Sequence, residues 1–149
     1  MTRVATRALG LDLGSKRIGV AVGDRTGTIA SPLQVLQRSG SVKRDHQAIA
    51  ELVIEEEADV VVVGLPLNMN GSTGPAAQAA IDEAAALATV VGVPVVTFDE
   101  RRTTVTADQA MMEANMRAQA RRRIVDKIAA AVMLQNWLDA GGSTRESPQ

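Results

Sequence analysis

Cysteine and tyrosine are absent from this 149-residue chain, which holds one tryptophan, one phenylalanine and one histidine. Without cysteine there is no disulfide framework, no thiolate metal site and no thiol nucleophile. Reading single-stranded bases by stacking calls for aromatic side chains, and Phe98 and Trp137 are too few to form such a platform. His46 has no second histidine at ligand spacing, and its place at a polar helix start reads as a surface position. No other histidine is present to activate Ser15, Thr103 or Thr104, so a hydroxyl nucleophile is disfavoured. Excess charge is missing too: the formal net charge is −1, so any phosphate-bearing partner has to be held by a local patch. The longest uncharged apolar run, Ala84 to Phe98, contains Gly92 and Pro94 and is too short to span a membrane. Met1 to Arg7 shows no secretory pattern, and the expectation is a cytoplasmic protein with no membrane partner.

What is present is enough apolar residue, 46%, for one compact domain over 1–140, followed by a polar tail over 141–149 expected to be disordered. Ala8 to Leu13 and Ile18 to Val22 read as two strands. Their short link forces an antiparallel hairpin, because a parallel return needs a crossover of a dozen residues or more. Thr28 to Leu36 reads as a third strand, and Ser31-Pro32 suits it to an edge. Ile49, Leu52 and Val53 mark one face of a helix over Ser41 to Glu57, capped by Ser41 or Asp45. The β-branched run Asp59 to Gly64 is typical of a central parallel strand. A Gly- and Asn-rich loop, an Ala-rich helix over Pro75 to Val91 and a strand over Val93 to Phe98 follow. Two helices, Thr103 to Asn115 and Arg122 to Ala140, close the order, with Arg117 and Arg121 in a polar segment between them. The fold class is therefore α/β, a mixed five-stranded sheet, antiparallel in its first three strands and parallel in the remainder, flanked by helices.

Three acids stand out from this pattern. Asp12 lies inside Leu11-Asp12-Leu13, Glu100 follows the last strand, and Asp126 opens the last helix on the face shared with Ala129, Ala130, Met133 and Trp137. An ionised carboxylate beside a buried strand is costly unless something positive neutralises it. Converging carboxylates make an oxygen-donor site for Mg²⁺ or Mn²⁺, ions suited to phosphoryl chemistry in pairs. Each acid has a plainer reading. Asp12 can support the turn at Gly14, Glu100 can pair with Arg101 or Arg102, and Asp126 can be a first-turn acid favoured by the helix dipole. Around them stand Lys16, Arg17, Arg101, Arg121, Arg122 and Arg123, candidates for a rim that holds nucleic-acid phosphates without reading sequence. Asn68 to Gly74 offers a helix start where backbone N–H groups can receive a phosphate, though without the lysine of a P-loop.

Four blocks carry a resemblance. Gly10-Leu11-Asp12-Leu13-Gly14-Ser15-Lys16-Arg17-Ile18-Gly19-Val20-Ala21, Val63-Gly64-Leu65-Pro66-Leu67-Asn68-Met69-Asn70-Gly71, Asp99-Glu100-Arg101-Arg102-Thr103-Thr104 and Val125-Asp126-Lys127-Ile128-Ala129-Ala130 resemble, in order and spacing, the YqgF/RuvX family across nearly the whole chain. The resemblance implies an RNase H-like fold and a divalent-metal-dependent nuclease that trims the 5′ end of pre-16S ribosomal RNA or resolves Holliday junctions. It also implies Asp12, Glu100 and Asp126 as catalytic acids and metal ligands. Between Asn115 and Ile124 the chain is more Arg-rich than the family pattern. Two other classes stay open at the level of sequence: a fragment of an actin-like nucleotide phosphotransferase, since Asp12-Leu13-Gly14 before Gly19 also resembles that class's phosphate hairpin, and a non-catalytic ribosome-associated or nucleic-acid-binding module. RNA against branched DNA, and monomer against dimer, are not distinguished by these residues.

Overall fold

A computed structural model describes residues 7–68, 70–99 and 118–141, without the side chains of 118–127. Its elements are β1 (Ala8–Leu13), β2 (Arg17–Gly23), β3 (Ala30–Gln37), α1 (Val42–Glu55), β4 (Val60–Leu65), α2 (Pro75–Ala88), β5 (Val95–Asp99) and α3 (Ala118–Asp139). The strands form one sheet in the order β3-β2-β1-β4-β5. β1, β2 and β3 pair antiparallel, whereas β4 runs parallel to both β1 and β5. β3 is an edge as expected. Its register shifts opposite Val20 and Ala21, which leaves Leu33 as an extra residue beside Pro32, and a proline without a donor is tolerated at such a place. The helix expected over Thr103 to Asn115 and the tail over 142–149 lie outside the described residues.

Strand alternation sorts the sheet into two unlike faces. Leu9, Leu11, Ile18, Val20, Val61 and Val63 face α1 and α2, packed against Ile49, Leu52, Val53, Ala80, Ala84 and Leu87. Ala8, Ala21, Val60 and Val62 face α3, under Ala130, Met133, Leu134 and Trp137. Gly10 shares this second face, and a Cβ placed on it would stand 3.0 Å from the Cβ of Leu134. The hairpin is therefore lined with small residues where α3 crosses it. Burying a Leu or Met side chain contributes about 1.5–3 kcal/mol, so Met133 and Leu134, both almost fully buried, are the main fasteners of the helix.

Two helix starts follow from local chemistry. The Ser41 side chain accepts the Arg44 N–H at the start of α1, so Ser41 is the cap. α2 begins with Pro75 after Gly74, a position where the missing N–H of proline costs nothing.

α3 departs from expectation. It begins at Ala118, which places Arg121 inside the helix and not in a connecting segment. Asp126 is then well past the first turn, where the dipole effect has faded, so the plainer reading of that acid as a first-turn residue fails. No described helix is long and apolar enough to cross a membrane.

Candidate functional site at the carboxyl edge of the sheet

The strand directions bring the ends of β1, β3, β4 and β5 and the start of β2 to one edge, because β3 runs antiparallel to β2 and the other three run together. Ligands of open α/β sheets bind beyond the carboxyl ends of their parallel strands. Asp12 sits here on β1, opposite Gly19 and half-buried. By alternation it shares the α3 face with Ala8 and Gly10, and Arg17 reaches the same face two residues before Gly19. Lys16 is exposed in the turn between them.

That turn is narrowly built. The Gly14 N–H lies within hydrogen-bond distance of the carbonyls of Asp12, at 3.1 Å, and Arg17, at 3.0 Å. A Cβ on Gly14 would lie 2.6 Å from the Arg17 carbonyl oxygen, so this is a position where the backbone itself requires glycine.

α3 runs over the edge with a definite direction. Leu138 lies near Gly23, Leu134 over Gly10, and Gln135 accepts the Ala30 N–H while donating to the Thr28 carbonyl, all toward the far end of the hairpin. Its earlier turns therefore extend toward the Asp12 end. Position 126 is eight residues before Leu134, about 12 Å along the axis at 1.5 Å per residue, and one turn before the buried Ala130 on the same stripe. Arg121, Arg122 and Arg123 belong to the same part of the helix backbone. Glu100 and Arg101 lie outside the described residues, as do the side chains of Arg121, Arg122, Arg123 and Asp126. Among the described residues no group of three or more metal-ligating side chains occurs. Asp99, opposite Leu65, is on the α1/α2 face by alternation with Phe98, away from the face of Asp12.

The other polar feature at this edge was not anticipated. His46 is 2% exposed, not a surface residue, and its Nε2 lies 2.8 Å from Glu83 Oε2. Arg38, just past β3, donates from Nη1 and Nη2 to the two oxygens of Glu83 at 2.7 and 2.9 Å. Asp45, also buried, accepts the Ser39 N–H at 3.0 Å and lies 4.0 Å from Arg38 Nη1. Burial pushes the Glu83 carboxyl up, yet the hydrogen bonds and charges of Arg38 and His46 outweigh it and hold the group below the usual carboxylate range. Asp45 behaves alike: burial opposes its ionisation, and the Ser39 hydrogen bonds with the Arg38 charge prevail. Arg38 is raised in turn by its bond to Glu83. The sequence did carry a signal. Asp45 and His46 stand four residues before Ile49 and Ala50, so the apolar stripe of α1 extends backward onto both.

A mixed sheet with this order and these directions, α1 and α2 on one face and α3 on the other, is that of the RNase H-like class. Over residues 6–140 the chain matches the RuvX family, described as a Holliday junction resolvase, and it belongs to that family. Membership makes the protein a nuclease, a hydrolase of phosphodiester bonds. A relative from Mycobacterium sp. (strain KMS), carrying the name "Putative pre-16S rRNA nuclease", is 45% identical over 143 residues that cover 95% of this chain and 85% of its own. A relative of the same name from Myxococcus xanthus (strain DK1622) is 46% identical over 134 residues, 90% of this chain and 88% of its own. Among solved structures, T. thermophilus RuvC in complex with a Holliday junction substrate aligns with a TM-score of 0.58 at 18% identity, covering 91% of this chain and 96% of that one. That is a likeness of fold.

Proposed function

We propose that this nuclease trims the 5′ end of the precursor of 16S ribosomal RNA, acting in the cytoplasm through divalent cations at the sheet edge marked by Asp12. The observation that carries the reading is the pair of relatives at 45% and 46% identity, each named for that activity and each matched over more than four fifths of its length. Asp12, Glu100 and Asp126 would hold Mg²⁺ or Mn²⁺, two ions in this reading. The donor set suits hard cations. It is made of carboxylate oxygens, the chain has no cysteine, and its one histidine is already engaged by Glu83 on the other face. Bound there, such ions supply Lewis-acid polarisation at phosphorus and charge neutralisation of the leaving oxygen.

The chain's own residues do the rest. Asp12 is paired with Gly19 of β2, one residue beyond the Leu11–Val63 pair that joins β1 to β4, so its main chain is held in place. Lys16 and Arg17, with Arg101, Arg121, Arg122 and Arg123, hold the phosphate backbone, which orients the scissile bond without reading sequence. Between Glu113 and Lys127 there are five basic and two acidic residues, a local excess of three positive charges in an otherwise balanced chain. A second reading, resolution of branched DNA, is favoured by the description of the family itself.

Purified protein offered labelled precursor RNA and a synthetic four-way junction, each with Mn²⁺ or with chelator, tests both. The expected result is metal-dependent shortening of the RNA at its 5′ end. Symmetrical cutting of the junction with intact RNA would transfer the assignment to the second reading, and cleavage of neither would remove both.

A further inference from the structure

Burying an ion pair is weak evidence of a contribution to stability, since well-packed apolar residues often serve as well. The Arg38, Glu83 and His46 cluster, with side chains 16%, 15% and 3% exposed, therefore invites the question of what it holds. Arg38 supplies the answer at its remaining donors. Its Nε donates to the Gly14 carbonyl at 2.9 Å, and its main-chain N–H donates to the Lys16 carbonyl at 2.9 Å. Both acceptors belong to the turn that joins Asp12 to Arg17. From the other side, the Gly14 N–H is engaged with the carbonyls of Asp12 and Arg17.

We propose that Arg38 is a positioning residue: clamped by Glu83, which His46 holds in turn, it fixes the β1–β2 turn and thereby holds Asp12 in the arrangement that receives the cation. The inference rests on Asp12 being a metal ligand. Its physical basis is the planar fork of arginine, which serves Gly14 and both Glu83 oxygens at once. An ammonium is a compact point charge and cannot reproduce that fork. Groups that orient a ligand typically alter metal affinity by 10–100-fold when removed, and displacements well under an ångström suffice to spoil a site.

Arg38→Lys is the direct test, with Glu83→Gln as a second variant that keeps the arginine but loosens its anchor. Mn²⁺ titrations of cleavage at saturating substrate should show the half-maximal concentration raised roughly tenfold or more in Arg38→Lys. Cleavage should be largely restored at high Mn²⁺, and KM for nucleic acid should change by less than about threefold. A second readout needs no activity. In the metal-free protein, amide exchange of Gly14 should accelerate about tenfold while exchange in β4 stays as in the parent. If Arg38→Lys failed to fold, the same two measurements on Glu83→Gln would decide. A parental Mn²⁺ titration, or unchanged Gly14 exchange in a folded variant, would overturn the positioning role. Asp12→Asn run alongside separates the layers: an inactive Asp12→Asn with a parental Arg38→Lys refutes only the clamp, whereas an active Asp12→Asn removes the metal-ligand reading on which the clamp depends.

Discussion

The two faces of the sheet end differently at the same edge. On the α1/α2 face the strands present Leu, Ile and Val, and the edge is closed by acids that the fold itself answers, Glu83 with Arg38 and His46, Asp45 with Ser39 and Arg38. On the α3 face the hairpin presents Ala8, Gly10, Gly19 and Ala21, and the row ends in Asp12. The difference separates two uses of a partly buried carboxylate. Glu83 ties α2 to Arg38 beyond β3 and to His46 on α1. Asp12 stands where a helix can approach closely, among the acids proposed to take their positive charge from a cation. The contrast can be broken by exchanging charge for shape on each face in turn.

The largest effect is expected from Asp12→Asn. The amide keeps the shape of the turn and loses the charge, so cleavage should fall about 10³-fold or more, equivalent to roughly 4 kcal/mol of transition-state stabilisation. Thermal stability should stay within a few degrees of the parent, about 1 kcal/mol or less. A large loss of melting temperature with cleavage retained would instead make Asp12 a turn-supporting residue, and the two faces would then differ in packing alone.

The closeness of α3 is tested by a pair of glycines. In Gly10→Ala the new Cβ meets Leu134 at 3.0 Å from its Cβ and 3.3 Å from a methyl. The Cβ of Leu134 cannot move without its helix, so overpacking should cost on the order of 1–3 kcal/mol, less whatever the loss of glycine's freedom in the unfolded chain returns. Gly23→Ala meets Leu138 and Ala8 only at 3.7 Å, an ordinary contact, and should be neutral or slightly stabilising. Equal melting temperatures for the two variants would mean that the small-residue face is not there to admit the helix.

Much of this contrast was legible in the residues. The alternation of Ala8-Leu9-Gly10-Leu11-Asp12-Leu13 already separates a large face from a small one, and the short link to Ile18 dictates the hairpin. The edge character of β3 followed from Pro32. Misjudgements arose where local polarity was taken for exposure. His46 sits among Lys43, Arg44 and Asp45 and was read as a surface residue, but its partner Glu83 is 37 positions away, and no local pattern announces a pairing made by tertiary structure. The polar segment holding Arg117 and Arg121, before Arg122, reads as a connection from local composition. Ala, Gln and Arg are all strong helix formers, and with no Gly or Pro between Ala118 and Ile124 the helix simply continues through it. The convergence of three acids is a matter of side-chain placement, and Glu100 and the Asp126 side chain lie outside the described residues, so that part of the site rests on motif and topology.

The smallest effect, and the one that assigns acid sensitivity to one face, concerns pH. Glu83 and Asp45 are both held below their ordinary carboxylate range in the folded protein, against about 4.3 and 3.9 in an unfolded chain. A group whose folded value is depressed contributes stability that is present above the unfolded value and lost as pH falls through the folded one. The groups facing Glu83 are Arg38 beyond β3 and His46 on α1, with Asp45 close by. Glu83→Gln keeps a hydrogen-bonding group but cannot ionise, so at pH 7 it should be less stable by about 2–3 kcal/mol, below the range for fully buried pairs because the pair retains some contact with solvent. As pH falls below about 5 the parent should progressively lose this advantage while the variant has none to lose, and the two melting temperatures should draw together. A gap that stays constant down to pH 3 would show that the variant's defect is one of shape. The acid limb would then have to be sought outside the Glu83 pair, and the electrostatic half of the contrast between the two faces would not hold.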